Sequence, residues 1–291
     1  MQIQSIDSNM TMVTPTDFYD LERSLFCGQA FRWHRTENPI AYKGIHQKYP
    51  IMVAQQKPGD PVYLTASQEE VERVWVPYFG FDDSYDKDIQ ALNLDSFAAY
   101  CFKQSRGIHI FRQDLWEMII SYIISQRNRL DNIGAAVERL ASKIPMHMTQ
   151  FGQYSFPNPE ELQFILKYAS PDSLRLGYRL PYIQNITDYF VRNPDKLNWL
   201  TAASTQDAYE FLIQFSGIGP KVANCILLFG MHRIEQFPID IWIQRVIDTY
   251  YAGHLDHTKY GDYAGVIQQY MFNSIRNVGI SEDTRFFTDN Q

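Results

Sequence analysis

Cysteine is scarce in this chain. Cys27, Cys101 and Cys225 are the only three in 291 residues, too few and too widely spaced for a disulfide framework, a four-cysteine zinc site or an iron–sulfur cluster. Long apolar runs are missing too, so no segment reads as a membrane span, and the polar stretch 1–9 lacks the hydrophobic core of a signal peptide. An intracellular protein is expected, in the cytoplasm and nucleoid if the source is bacterial. A basic excess is lacking as well. The net charge is −7, which argues against nonspecific attraction to nucleic acid or to an anionic membrane surface. Internal repeats and low-complexity linkers are absent.

The acid is unevenly spread. Residues 1–105 carry 9 basic and 14 acidic groups, whereas 103–143 carries seven basic groups against four acidic ones. A local positive field suffices for a few phosphate contacts, so a basic face remains available.

Periodicity divides the chain into two unequal parts. Apolar and polar residues alternate through 30–34 and 51–55, and a further run at 62–65 follows the turn-rich Lys57-Pro58-Gly59-Asp60-Pro61, which predicts antiparallel strands. Ser67 to Glu70 has the spacing of a capping box that opens a helix through Phe79. From about Ser105 the pattern turns helical, with Leu115, Met118, Ile119, Tyr122 and Ile123 on one face and Ile133, Val137 and Leu140 on the next. The expected fold class is therefore α+β. A twisted antiparallel sheet with helices spans 1–105 and packs on an all-helical region, 106–291.

Chemistry concentrates at Phe215-Ser216-Gly217-Ile218-Gly219-Pro220-Lys221. An amphipathic run from Asp207 to Phe215 precedes this segment and an apolar run at 222–229 follows, so the glycines must make a tight turn between two helices. Gly217 and Gly219, lacking Cβ, can take positive φ and bring backbone N–H groups close to an anion such as a phosphate. Pro220 suits the first helical turn and puts Lys221 at the positive end of the helix dipole, where an ammonium is disfavoured. A neutral amine there is a candidate nucleophile. Asp240 follows nineteen residues later, behind Phe237-Pro238-Ile239. Alone, these residues read equally as a structural hairpin with a solvated lysine and with Asp240 capping the next helix.

Four further segments alter that balance. Ser24-Leu25-Phe26-Cys27-Gly28-Gln29-Ala30-Phe31-Arg32-Trp33, Gln113 to Glu117 followed by Ile123-Ile124-Ser125-Gln126, Leu176-Gly177-Tyr178-Arg179, and Tyr263-Ala264-Gly265 leading to Gln268 and Phe272 accompany the hairpin in order. Together they resemble the 8-oxoguanine DNA glycosylases of the helix-hairpin-helix superfamily, over nearly the whole length. The resemblance implies a bifunctional glycosylase and abasic-site lyase that flips 8-oxoguanine out of double-stranded DNA without a cofactor, and a monomer is expected because one DNA site per chain suffices. Whether a monovalent cation sits at the hairpin carbonyls is left open, and no metal site is expected. It further implies that Lys221 and Asp240 are catalytic, that Cys225 and Phe272 sandwich the flipped purine, that the Gln268 amide reads its Watson–Crick edge, and that the Gly28 carbonyl accepts from N7–H of the oxidised base. Gly217, Gly219, Arg127, Asn128, Asn132, Tyr178, Arg179 and Trp242 are then the DNA-contacting set. Each has a plain alternative in core packing, turns or solvated helix ends.

Three positions depart from the animal-type pattern: Arg127 stands where asparagine is common, Asn132 where arginine is, and Trp242 where histidine is. The first two lie near the expected site of the base opposite the lesion, so weakened selection for cytosine is expected. Two rival readings are a monofunctional, alkylation-type glycosylase using aspartate alone, and a helix-hairpin-helix binding module without catalysis.

Overall fold

The computed structural model describes residues 1–278, with side chains through Arg276; the rest of the 106–291 region lies outside the described residues. Its architecture is α+β. Six strands, β1 (Gln2–Asp7), β2 (Met10–Thr14), β3 (His34–Arg35), β4 (Ala41–His46), β5 (Tyr49–Gln55) and β6 (Val62–Leu64), form one sheet in the order β1-β2-β6-β5-β4-β3. Hydrogen-bond registers are antiparallel for β1 with β2, β2 with β6 and β3 with β4.

The alternating runs at 51–55 and 62–65 are strands, but the run at 30–34 is not. Phe31, Arg32 and Trp33 form bends, and only His34 enters β3. Arg32 explains the departure. Its guanidinium is buried and pairs with Glu138 at 2.9 Å and with Glu117 at 3.5 Å, so the backbone follows the needs of that ion cluster and not a ladder. β1 was invisible to periodicity because it is almost wholly exposed and its residues are largely polar.

Ser67 caps the helix expected at 68–79, accepting from the Glu70 N–H at 3.3 Å. The other half of the capping box does not form, since the Glu70 carboxylate accepts from Trp75 Nε1 instead. The helix widens to π geometry over Val71–Trp75 just ahead of Pro77, which has no N–H to continue the ladder, and ends at Gly80 with φ 63°.

Two compact units emerge, each made of discontinuous segments. One comprises Met1–Gln29, Ala54–Phe111 and the described part of Arg233–Gln291; the other comprises Ala30–Val53 and Arg112–His232. This grouping differs from the cut expected at 105/106, which marks a change in periodicity. In the first unit, the helix Ala264–Asn273 is buried along its whole length, and Tyr19, Phe79, Phe81 and Phe111 form a ring cluster with centroids 5.0–5.3 Å apart. In the second, the helix Leu115–Ile124 is likewise buried on every side. Gly230 lets the helix Pro220–Gly230 approach it closely, because a Cβ there would meet Leu115 and Met118 at 3.1 Å.

Candidate active site

The hairpin expected around Gly217 is present in the second unit, between the helices Thr205–Leu212 and Pro220–Gly230. Its turn is held by Phe215 N–H to Leu212 O at 3.2 Å and Ile218 N–H to Phe215 O at 2.9 Å. Gly217 has φ +88°, and a Cβ would lie 2.6 Å from the Tyr182 ring, so both backbone and space require glycine there. Positive φ does not extend to Gly219, which is extended at φ −92° and ψ −178°. Pro220 is the reason, since the residue before a proline is driven out of the helical region. Gly219 thereby becomes the N-cap, and a Cβ there would meet only open space.

Lys221 is the second residue of that helix and is half-buried. Its Nζ lies 5.7 Å from the centroid of the Tyr122 ring, and no carboxylate pairs with it among the described residues. Cys225 follows one turn later on the same face and is buried.

A second cluster in this unit gathers the turn after the helix Leu115–Ile124. Gln126 Nε2 donates to Gly217 O at 2.8 Å, and the Gln126 carbonyl accepts from Tyr178 Oη at 3.0 Å and from Arg179 Nε at 3.1 Å. Arg179 Nη2 also reaches the Gln126 and Arg127 carbonyls. Tyr178 and Arg179 thus brace the turn that presents Arg127 and Asn128. Arg127 is exposed in the left-handed region at φ 48°, and the Asn128 side chain bonds locally to Ile124 O and the Arg129 N–H. A cavity of about 270 Å³ opens beside the turn, lined among others by Asn128, Asn132, Arg139, Arg175 and Arg179. Arg139 and Arg175 escaped the sequence reading. Arg139 sits seven residues after Asn132 and on the same helical face, a spacing that could have identified it. Arg175, at φ 52°, carries no such signal.

The buried Arg32 cluster anchors the helix Leu130–Ala141, which carries Asn132 and Arg139. Burial raises the Glu117 carboxyl to about 7 despite the nearby guanidinium. Glu138 is burdened by burial too, but hydrogen bonds from His34 and Arg32 and the Arg32 charge take it down to about 2.

The remaining expected site residues belong to the first unit. Gly28 takes φ 95° after the helix Leu21–Phe26. Its neighbour Gln29 is structural: Nε2 donates to Ser24 O and His109 O, and Oε1 accepts from the Phe111 N–H, all at 2.8 Å. Asp240 caps the helix Ile241–Tyr250, its Oδ1 accepting from the Trp242 and Ile243 N–H groups at 2.9 Å each. Oδ2 takes no hydrogen bond among the described residues, so one oxygen fixes the carboxylate while the other stays open. Trp242 is half-buried under the Arg245 guanidinium, 4.9 Å from its ring centroid. On the helix Ala264–Asn273, Gln268 Nε2 donates to Pro238 O at 2.9 Å, and Phe272, one turn on, lies beneath Arg276. Among the described residues no group of three or more His, Cys, Asp or Glu side chains is placed to hold a metal ion, and no helix is long and apolar enough to cross a membrane.

Comparison with known proteins finds chains similar to this one. The N-terminal domain of 8-oxoguanine DNA glycosylase matches residues 11–119. A probable N-glycosylase/DNA lyase of Methanothermobacter thermautotrophicus is 26% identical, covering 94% of this chain and 99% of its own. The N-glycosylase/DNA lyase of Saccharomyces cerevisiae is 27% identical over 82% of this chain and 70% of its own. Among solved structures, the 8-oxoguanine glycosylase/lyase of Clostridium acetobutylicum, in complex with double-stranded DNA bearing cytosine opposite 8-oxoG, superposes with a TM-score of 0.84 at 28% identity, covering 96% and 99% of the two chains.

Proposed function

Since the chain belongs to the helix-hairpin-helix 8-oxoguanine DNA glycosylases, we propose that it excises 8-oxoguanine from double-stranded DNA with Lys221 as the nucleophile and Asp240 as its electrostatic partner. The observation that carries the assignment of Lys221 is its place: second residue of a hairpin-borne helix, half-buried, beside an aromatic face and without a carboxylate partner among the described residues. The base must leave the duplex before its sugar carbon can be reached, because stacking hides that carbon.

In the proposed step the neutral Lys221 amine forms a bond to C1′ while the C1′–N9 bond breaks, and the base departs with that electron pair and takes up a proton. The open carboxylate oxygen of Asp240 offsets the positive charge developing on the sugar. Loss of the ring C1′–O4′ bond gives an imine, whose pull on C2′ lets a proton leave and the 3′ phosphate depart by β-elimination. Water then hydrolyses the imine and frees the lysine. Cys225 and Phe272 would hold the faces of the base and Gln268 its edge, with Gly28 accepting from N7–H. The N-terminal turn at Gly217 and Gly219, with Arg127, Asn128, Asn132, Tyr178, Arg179 and Trp242, would hold the strands. The scheme requires no cofactor. A monovalent cation at the hairpin carbonyls would strengthen only the phosphate grip, and replacing potassium by lithium tests it. Such a protein would work at the chromosome, in the nucleoid of a bacterial source.

Excision assays on duplexes carrying 8-oxoguanine or 3-methyladenine test the reading against its rivals. Release of 8-oxoguanine with strand cleavage is expected. Release of 3-methyladenine without cleavage would identify an alkylation-type enzyme, and binding without release of either base a non-catalytic module.

A further inference from the structure

Two adjacent glutamines on the helix Ala264–Asn273 are both buried, Gln268 at 3% and Gln269 at 4% exposure. Gln269 Nε2 donates to Gln268 Oε1 at 2.8 Å, and Gln268 Nε2 donates to Pro238 O at 2.9 Å. The carbonyl end of the Gln268 amide is therefore held on the Gln269 side and its amino end on the Pro238 side. One lone pair and one N–H of that amide remain for a ligand.

Gln269 bears an uncompensated cost in this arrangement. Its own Oε1 is buried and meets no donor among the described residues. A methionine or leucine would fill the same volume without an orphaned oxygen, so the feature that distinguishes glutamine here is its N–H on Gln268.

We propose that Gln269 is a positioning residue that determines base specificity by fixing the polarity of the Gln268 amide. The inference rests on the reading of Gln268 as the reader of the base edge. A guanine-type edge offers O6 as acceptor beside N1–H as donor, whereas an adenine-type edge offers N6–H beside N1 as acceptor. The amide that satisfies the first must be reversed end for end to satisfy the second, and the glycosidic bond prevents the base from reversing itself. With Gln269 donating to Oε1, reversal would oppose two amino groups and direct the Gln268 carbonyl at the Pro238 carbonyl. The amide is thus set for a guanine-type edge before any base arrives.

The test compares single-turnover excision of 8-oxoguanine and of 8-oxoadenine, each opposite cytosine, with cleavage of a duplex carrying an abasic site, which has no base to read. Gln269→Met keeps the volume and removes the donor; Gln269→Glu replaces the donor by an acceptor that favours the reversed amide. The ratio of 8-oxoguanine to 8-oxoadenine excision should fall about tenfold in Gln269→Met and further in Gln269→Glu, with abasic-site cleavage within about twofold of wild type. An unchanged ratio in both variants overturns the inference, as does equal loss of excision and abasic-site cleavage in both, the mark of a mere brace. Wild-type protein that cleaves abasic sites but excises neither base overturns the base-excision reading and this inference with it.

Discussion

Gln126 and Gly217 are joined by a hydrogen bond of 2.8 Å, from the Gln126 side chain to the Gly217 carbonyl. This bond connects the turn bearing Arg127 and Asn128 to the hairpin bearing Lys221, and the Gln126 carbonyl is at the same time the acceptor for Tyr178 and Arg179. Gln126→Ala removes the side-chain link but leaves the carbonyl. Folding stability should drop by about 2 kcal/mol, because the same Nε2 also donates to Ile123 O at 3.0 Å and two such bonds are lost. The rate of base excision should drop more than the rate of cleavage at preformed abasic sites, because only excision has a stacked, paired base to extrude. Urea unfolding and paired kinetics on the two substrates check both effects.

The two hairpin glycines should answer alanine differently. Gly217→Ala places a Cβ 2.6 Å from the Tyr182 ring at φ +88°, and should lower stability by about 2 kcal/mol. Gly219→Ala meets open space at an ordinary φ, so stability should stay within about 0.5 kcal/mol of wild type. A large loss of DNA affinity in Gly219→Ala without loss of stability would mark Gly219 as a site of direct phosphate approach. Thermal unfolding and titration of a lesion duplex at fixed salt distinguish the cases.

The Arg32 cluster gives the fold a pH dependence with two opposing arms. Glu117 holds its proton in the folded state to about pH 7, against an ordinary value of 4.5, so folding takes up a proton in that window and stability declines as pH rises through it. Glu138 is held near 2, so its contribution is complete above about 4.5 and is lost as pH falls toward 2. Glu117→Gln should flatten the decline between pH 5 and 7, about the interval between those two values. Glu138→Gln should cost about 3 kcal/mol at neutral pH, because Arg32 then stays buried with a partner that prefers to be neutral. Denaturant midpoints measured from pH 4 to 8, roughly spanning both arms, check the two slopes.

Selection of the base opposite the lesion is expected to be weak. Arg127 points from a left-handed turn toward solvent, and Asn132 lies beside the three arginines of an open cavity. Excision of 8-oxoguanine opposite cytosine, adenine, guanine and thymine should differ by about tenfold or less, whereas Asn132→Arg should widen the preference for cytosine by supplying a donor fork. A strong cytosine preference in the wild-type protein would contradict this account.

Much of this was legible in the residues, for reasons that differ from place to place. The hairpin was readable because Gly217, Pro220 and Lys221 each exert a local backbone or charge effect that needs no distant partner. The α+β class followed from the change of period near Ser105. What stayed hidden depends on contacts remote in sequence. The bend at Phe31-Arg32-Trp33 answers to Glu117 and Glu138, more than eighty residues away. β1 has no buried face to betray it. At Gly219 the freedom that glycine offers is overruled by the proline that follows, which holds it extended. Gln269 adjoins a residue marked as important, yet its role depends on which atom of Gln268 it meets.

The most direct measurement of the central claim is borohydride reduction of the protein on a duplex carrying 8-oxoguanine, followed by mass spectrometric mapping of the adduct. A covalent protein–DNA species reduced at Lys221 is expected, absent in Lys221→Gln while that variant still binds the duplex. Excision and strand cleavage by the wild-type protein with no trapped species, or with an adduct on another residue, would contradict the assignment of the nucleophile.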